Sequence, residues 1–444
     1  MMGICRKFSN SIEFFIKIIL YLGCFFILFS LLGIENRQVR VLSRTSVIMT
    51  LMFFMSLLFF TGIYGGLDAG RRHRRLILQG MELSLFFSSF FTYAVFLIMN
   101  VNEANGLKFR FRSIGYFILS LLLNALFVWL MTVAASHFHN WVEPPVKALV
   151  IAGTTEDGER VKSMVESFRH RFSSAEALKY DDEHVKEKIR DAGMVFFYDI
   201  PQGDRAELVN YCYKHNVHMS LNPDISDIVE MTAEERMMGD MPFLFHYSGK
   251  MTFEQRVIKR LSDIGISALL LILTSPLFLV AAVMIKAGDG GPVFFRQKRA
   301  TIRGRVFQII KFRTMKVDSG NVSVSKEDDR ITPAGKILRK YRIDELPQLI
   351  NIIKGEMSLV GPRPEMLENV NEYENEMPEF RYRLRMKAGL TGLAQVMGKY
   401  NTSSRDKLIL DLLYIERFSI MLDIKLLFQT FLVLFNANDS TEGF

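Results

Sequence analysis

Apolar residues crowd the first third of the chain, in four stretches at residues 11–34, 46–66, 81–100 and 115–137. Each holds close to the ~20 apolar residues that cross a bilayer, so a bundle of four membrane-spanning α-helices is predicted over residues 1–143. The first stretch does not read as a signal peptide, being too long, lacking a small-residue cleavage pattern and leading into three further spans. Loop charge orients the bundle only mildly. Arg71, Arg72, Arg74 and Arg75 favour a cytoplasmic second loop, whereas Arg37, Arg40 and Arg44, and then Lys108, Arg110 and Arg112, load the other two. An even number of spans puts both ends of the bundle on one side, taken here as the cytoplasm.

The pattern changes after Trp141, where Glu143, Pro144 and Pro145 mark a linker. A buried-strand run at 146–152 leads into Gly153-Thr-Thr-Glu-Asp-Gly158 and a helical stretch at 159–169. Strands at 194–198 and 217–221 and a helix around 206–214 continue a Rossmann-like α/β module over residues 144–248. Its glycine pattern keeps the first and last positions and lacks the middle one that lets backbone approach a pyrophosphate, which favours a structural or regulatory module over a dinucleotide binder.

Residues 249–444 form a third region, which opens with a fifth apolar stretch at about 264–285. Length alone predicts a span, but Lys250, Arg256, Lys259 and Arg260 precede the stretch and Lys286, Arg296, Lys298, Arg299, Arg303 and Arg305 follow it. Crossing would carry one dense positive block through the membrane. Ser275-Pro276 at its centre predicts a sharp break, since proline removes a helical hydrogen bond and the serine hydroxyl satisfies a freed carbonyl. A re-entrant helix that enters and leaves by one face is therefore expected, with a kinked spanning helix as the alternative. At 419–435 apolar residues interleave with Asp423, Lys425 and Gln429, as in an amphipathic helix lying in the interface, or else in a core helix.

Composition narrows the chemistry. No histidine or cysteine follows His246, which removes the usual general base, thiol nucleophile and soft metal ligands from the third region. The three cysteines of the chain form no CxxC, in keeping with a reducing compartment. A net charge of +8 and a pI near 9.2, beside membrane spans, point to lipid and phosphate; no finger spacing or nucleic-acid motif occurs, so nucleic acid is not an expected partner. The adjacent carboxylates Asp344 and Glu345 lie amid arginines and lysines. That set suits Mg²⁺, held by one or two carboxylates plus substrate phosphates, and so phosphoryl transfer.

The third region carries Lys259-Arg260…Asp263, Ser275-Pro276, Gly291-Pro292-Val293-Phe294-Phe295-Arg296-Gln297, Lys311-Phe312-Arg313-Thr314-Met315 and Asp329-Arg330-Ile331-Thr332. It continues with Leu338-Arg339, Asp344-Glu345-Leu346-Pro347-Gln348-Leu349, Gly355…Met357-Ser358-Leu359-Val360-Gly361-Pro362-Arg363-Pro364 and Gly389-Leu390-Thr391-Gly392-Leu393-Ala394-Gln395-Val396. From about Met251 onward the chain resembles the bacterial sugar transferase family, the monotopic phosphoglycosyl transferases, and its overall layout resembles the large polytopic members. Lys387-Ala388-Gly389 and Gly398-Lys399 depart from the commoner Pro-Gly and Gly-Arg, which bears on local turn geometry or sugar choice.

The resemblance implies an α/β phosphoglycosyl transferase domain that moves a sugar 1-phosphate from a UDP-sugar onto polyprenol (undecaprenyl) phosphate, releasing UMP and initiating an exopolysaccharide, capsule or O-antigen type glycan. It makes Asp344 the nucleophile, through an aspartyl phosphosugar, and Glu345 the Mg²⁺ ligand, although Asp344 as a helix cap is the plainer reading. Arg339 and Arg363 are implied to grip substrate phosphate. Lys311 and Arg313, two apart on a strand after 306–310, are expected to point one way as part of the same phosphate face. The bacterial inner membrane, a cytoplasmic catalytic domain and a homo-oligomer, with a dimer as the expected form, complete the expectation. Two rivals are a membrane-tethered nucleotide-sugar oxidoreductase or epimerase, against which stands the absence of any Tyr-x-x-x-Lys pair, and a non-catalytic scaffold of polysaccharide export.

Overall fold

The computed structural model describes residues 9–68, 74–99, 111–247, 251–317, 329–398 and 403–435, which form two compact units, Met1–Asn222 and Pro223–Phe444. Arg71, Arg72, Lys108, Arg110, Lys250 and Lys399 lie outside the described residues.

The first unit begins with four long helices, α1 (Ser9–Leu32), α2 (Arg44–Tyr64), α3 (Arg74–Met99) and α4 (Ile114–Val142), each long and apolar enough to cross a membrane. The chain is a membrane protein. Ser43 and Ser46 start α2 by bonding each other's backbone N–H in a capping box. α2 packs on α3 and α1 on α4, around a core that includes Leu20, Leu28, Phe53, Met81, Phe96 and Val128. Ser84, Ser88 and Thr92 of α3 are fully buried and each donates to the carbonyl four residues back, so these small polar residues allow close helix approach without unpaired hydroxyls.

A parallel sheet in the order β2-β1-β3-β4 follows, from β1 (Val146–Ala152), β2 (Phe172–Lys179), β3 (Met194–Tyr198) and β4 (Met219–Leu221), with α5 (Thr155–Glu166), α6 (Val185–Asp191) and α7 (Gln202–Lys214) as connections. Strand β2 is absent from the sequence expectation. As an edge strand reading Phe-Ser-Ser-Ala-Glu-Ala-Leu-Lys it buries little and has no continuous apolar run to betray it. Gly153 has a plain structural reason, because a Cβ there would lie 2.1 Å from the Asp199 carbonyl oxygen. The N-terminus of α5, where a pyrophosphate would rest, carries Glu156 and Asp157, whose charge has the wrong sign for phosphate.

The second unit starts at Pro223, earlier than the expected boundary near 249. Helix α8 (Ile225–Thr232) accounts for the difference: Ile228 is 1% exposed within the core of this unit, and Arg405 donates to Asp224. A hairpin of β5 (Glu234–Met238) and β6 (Met241–Phe245) leads to α9 (Phe253–Asp289), capped by a Thr252–Gln255 box and ended by Gly290 at φ 71°. Then come the antiparallel pair β7 (Phe294–Ala300) and β8 (Val306–Phe312), α10 (Pro333–Lys340), a 3₁₀ turn at Ile343–Glu345 and α11 (Gln348–Lys354). β9 (Ser358–Val360), α12 (Leu367–Glu376), a 3₁₀ stretch at Pro378–Arg385, β10 (Gly389–Thr391), α13 (Leu393–Met397), α14 (Ser404–Glu416) and α15 (Ile420–Phe435) complete it, with β9 and β10 paired in parallel.

At Ser275-Pro276, where the sequence predicts a sharp break, α9 runs on as one helical element of 37 residues with Pro276 inside it. Pro276 leaves the Ile272 carbonyl without its helical donor, and Ser275 Oγ donates to that oxygen at 2.8 Å. The freed acceptor is satisfied and helical pairing resumes. Both ends of α9 are tied to the same folded unit. Near its start, Lys259 Nζ donates to the Val360 carbonyl at 3.0 Å, Arg260 to the carbonyls of Ile352 and Ile353, and Asp263 Oδ1 accepts from Leu359 N–H. Near its end, Ala281 and Ile285 pack with Phe312 and Leu338, and Asp289 pairs with Arg313. Between these anchors the helix presents Ile272, Leu273 and Leu279, each more than 60% exposed. Helix α15 lays one face on the core through Leu426, while Asp423 pairs with Lys259 and Thr430 with Thr391.

Candidate active site

The pair Asp344-Glu345 sits on a tight 3₁₀ turn between α10 and α11, entered through Arg342 at φ 52°. Pro347, with no side-chain cap, occupies the N-cap position of α11, so Asp344 does not hold the capping position. Asp344 is half-buried and Glu345 is buried. Lys311, on the penultimate residue of β8, donates through Nζ to Glu345 Oε1 at 2.9 Å, and Arg363 Nη2 donates to the same oxygen at 3.3 Å. Burial pushes the Glu345 carboxyl up, yet the charges of Lys311, Arg363 and Arg342 outweigh it and hold the group well below the usual carboxylate range. Glu345 is thus ionised at neutral pH despite its burial.

Asn351 fixes the distance between the strand and the turn. This fully buried side chain accepts from Ile310 N–H at 3.0 Å and donates to the Gln308 carbonyl at 2.8 Å and to Glu356 at 2.6 Å, stitching α11 to β8. In the sequence its signal is an asparagine interrupting Leu349-Ile350 and Ile352-Ile353. Gly361 turns the chain out of β9 toward Arg363, packed so tightly that a Cβ would lie 2.3 Å from the Lys387 carbonyl oxygen.

The residues expected to share a phosphate face divide. Lys311, Arg363 and Glu345 come together. Arg339 donates from Nε to Thr314 Oγ1 at 2.9 Å, on the helix preceding the Asp-Glu turn. Arg313 turns elsewhere: it is buried, donates to the Pro292 carbonyl at 2.8 Å and forks onto Asp289, so it braces the end of α9. Lys311 and Arg313 do not share a partner because β8 ends at Phe312, one residue before the alternation could place both on one face. Ser275 and Pro276 lie on the exposed middle of α9.

For a divalent cation, the described residues contain no group of three or more His, Cys, Asp or Glu side chains arranged as a closed site. Both cationic side chains meet Glu345 at Oε1, on a carboxylate kept ionised. Glu345 beside Asp344 fits the open arrangement in which Mg²⁺ takes one or two carboxylates and completes its shell with phosphate oxygens and water.

Residues 254–437 match the model of the bacterial sugar transferase family. A UDP-glucose:undecaprenyl-phosphate glucose-1-phosphate transferase of Caulobacter vibrioides is 42% identical over 180 residues, covering 39% of this chain and 67% of that protein. The chain belongs to the bacterial sugar transferase family. A Klebsiella pneumoniae protein of the same description is 37% identical over 216 residues, covering 47% of this chain and 46% of that protein. The UDP-N-acetylgalactosamine-undecaprenyl-phosphate N-acetylgalactosaminephosphotransferase of Aeromonas hydrophila is 42% identical over 179 residues, covering 39% of this chain and 42% of that protein. The chain thus spans about half the length of these last two sugar transferases. The family segment starts within α9 and ends beyond α15, and so holds every residue of the cluster described above.

Proposed function

We propose that this protein transfers a sugar 1-phosphate from a UDP-sugar to polyprenol (undecaprenyl) phosphate, giving polyprenol diphosphate sugar and UMP. The observation that carries this reading is the buried Glu345 side chain held by Lys311 and Arg363 directly beside Asp344 on one 3₁₀ turn. In the first step an Asp344 carboxylate oxygen attacks the sugar-bearing phosphorus. The bond from that phosphorus to the bridging oxygen breaks, its electron pair leaves with UMP, and an aspartyl phosphosugar remains. In the second step a polyprenol phosphate oxygen attacks the same phosphorus and the Asp344 carboxylate departs. Such chemistry asks for positioning and charge neutralisation more than for basicity, which suits a site without histidine. Arg363 and Lys311 supply fixed positive charge to the phosphates, with Arg339 following from α10. Glu345 would hold Mg²⁺, which when bound screens the phosphate charges from the attacking carboxylate.

The re-entrant placement of α9 belongs to the same proposal. Its two ends are bound to one folded unit through Lys259, Arg260 and Asp263 on one side and Ala281, Ile285 and Asp289 on the other, as expected of a helix that enters and leaves by one membrane face. With it go a catalytic unit on the cytoplasmic face of the inner membrane, a homodimer, and a product that starts an exopolysaccharide, capsule or O-antigen type glycan. Relatives named for glucose 1-phosphate and for N-acetylgalactosamine phosphate make UDP-glucose and UDP-N-acetylgalactosamine the first donors to try.

The test incubates membranes containing the protein with undecaprenyl phosphate, Mg²⁺ and a panel of UDP-sugars, scoring UMP and lipid product. With undecaprenyl phosphate withheld, label from the sugar phosphate should stay on protein and map to Asp344. UMP release together with ternary-complex kinetics and no trappable adduct would replace the covalent route with direct transfer. No UMP from any donor would overturn the reading.

A further inference from the structure

Arg363 reaches Glu345 from a segment, Pro362-Arg363-Pro364, that has few ways of being held. Both prolines lack an N–H, so the carbonyls are the main handles: the Gly389 N–H donates to the Pro362 carbonyl at 2.8 Å, and two arginines from separate elements take the other two. Arg383, from the 3₁₀ stretch, donates through Nη2 to the Arg363 carbonyl at 2.9 Å. Arg299, from β7, donates through Nη1 to the Pro364 carbonyl at 3.1 Å. Behind Arg383 lies Asp411 of α14, with Oδ2 at 2.7 Å from Arg383 Nη2, while Glu365 Oε1 is 3.7 Å from Nη1 and the Phe380 ring lies 4.8 Å from the guanidinium carbon. The Arg383 and Asp411 side chains are only 4% and 2% exposed.

A buried ion pair is a poor source of stability, since desolvating both charges offsets their attraction and packed apolar residues of the same volume do as well or better. We propose that Arg383, oriented by Asp411, is a positioning residue that aims the Arg363 side chain at Glu345 and the substrate phosphates by holding the Arg363 carbonyl, with Arg299 as the second strut. Among the described residues neither Arg383 nor Asp411 bonds Glu345; both act through Arg363. The inference rests on the reading of Arg363 as a phosphate-binding residue.

A mutant cycle on the full-length protein in membranes separates these ideas, using the UDP-sugar that turns over in the panel above. Arg363→Ala is expected to lower kcat/KM for the UDP-sugar about 100-fold, and Asp411→Asn or Arg383→Lys about 10-fold each, through the same parameter, kcat or KM, that moves in Arg363→Ala. The double variant Asp411→Asn with Arg363→Ala should fall within about threefold of Arg363→Ala alone, because an aiming residue has nothing left to aim. A double variant lower by the product of the two single effects, about 1,000-fold, would refute the positioning role while leaving the phosphate role of Arg363 intact. An Arg363→Ala protein with unchanged UMP release would instead sink the reading of Arg363, and the inference with it. Arg383→Lys keeps a cation beside Asp411 but loses the forked donor, so it carries the cycle if Asp411→Asn fails to accumulate. Should both fail to accumulate while Arg363→Ala accumulates normally, the pair is a folding element and the proposal is overturned.

Discussion

Lys311 Nζ and Glu345 Oε1 lie 2.9 Å apart although 34 residues separate them in the chain, and Arg363 reaches the same oxygen. This contact joins the end of β8 to the Asp-Glu turn in a nearly dry setting, with the Lys311 and Glu345 side chains 20% and 10% exposed. Removing one partner of such a pair strands the other. Lys311→Met should destabilise the second unit by about 3 kcal/mol, the low end for a broken buried pair because Arg363 remains. Lys311→Met combined with Glu345→Gln should recover much of that loss. Thermal unfolding of the purified protein in detergent checks this, and strictly additive shifts would count against the pairing.

Asp344→Asn and Glu345→Gln should each cut UMP release by about 10³-fold or more, Asp344→Asn in a protein that accumulates normally in the membrane and Glu345→Gln in one destabilised by the stranding of Lys311 and Arg363. Wild-type turnover by Asp344→Asn would end the covalent assignment.

Asp411 gives stability a distinctive pH dependence. Burial pushes its carboxyl up from 3.8 to about 6, with Arg383 offsetting only part of the effect. Between those values the folded state binds more protons than the unfolded one, so this group makes stability fall as pH rises from about 4 to about 6, by about 3 kcal/mol in all. Glu345 acts in the opposite sense. Its carboxyl is depressed, so its contribution is present above the ordinary 4.5 and is lost as pH falls below it. Unfolding temperatures of wild type and Asp411→Asn across this range should diverge, with the variant losing the decline between pH 4 and 6. Parallel curves would contradict the shift.

Topology is open to direct labelling. In a background without Cys5, Cys24 and Cys212, single cysteines at the exposed positions Glu254 and Arg303 should react alike with an impermeant reagent, and only after the membrane is opened. Pro276→Leu restores a backbone hydrogen bond inside α9 and should favour a helix that crosses. Opposite labelling of 254 and 303 in the otherwise unaltered chain would make α9 a true span.

Gly335 lets α10 lie against the backbone of Thr314, since a Cβ there would come within 2.0 Å of the Thr314 carbonyl oxygen. Gly335→Ala must displace the helix that carries Arg339. A destabilisation of about 1–3 kcal/mol together with weakened UMP release is expected, and a variant neutral in both would show that Arg339 needs no fixed seat.

The long apolar helices were legible because they rest on a local signal, a run of hydrocarbon. Strand β2 was not, since an edge strand of serines and glutamate owes its conformation to backbone pairing with β1. Arg313 and Lys311 read as equivalents in sequence, and only the end of β8 at Phe312 sends one to Asp289 and the other to Glu345. The unit boundary at Asn222 was likewise hidden, because α8 declares its allegiance through Ile228 and Asp224, whose partners come more than a hundred residues later. Asn351 and Arg383 lay in view as polar residues, but their tasks are set by strands and carbonyls distant in sequence.

Helix α9 ends as it begins, fastened to one body, and that makes it a gauge. A free membrane helix meets a thicker or thinner bilayer by tilting on its own. One pinned at Lys259–Asp263 and again at Ala281–Asp289 cannot tilt without carrying Phe312, Leu338 and Asp289's partner Arg313 along. In the proposed re-entrant placement, the height at which the Asp-Glu turn rides above the hydrocarbon is set by the protein, and changes in acyl-chain length have to be absorbed by the lipid around it.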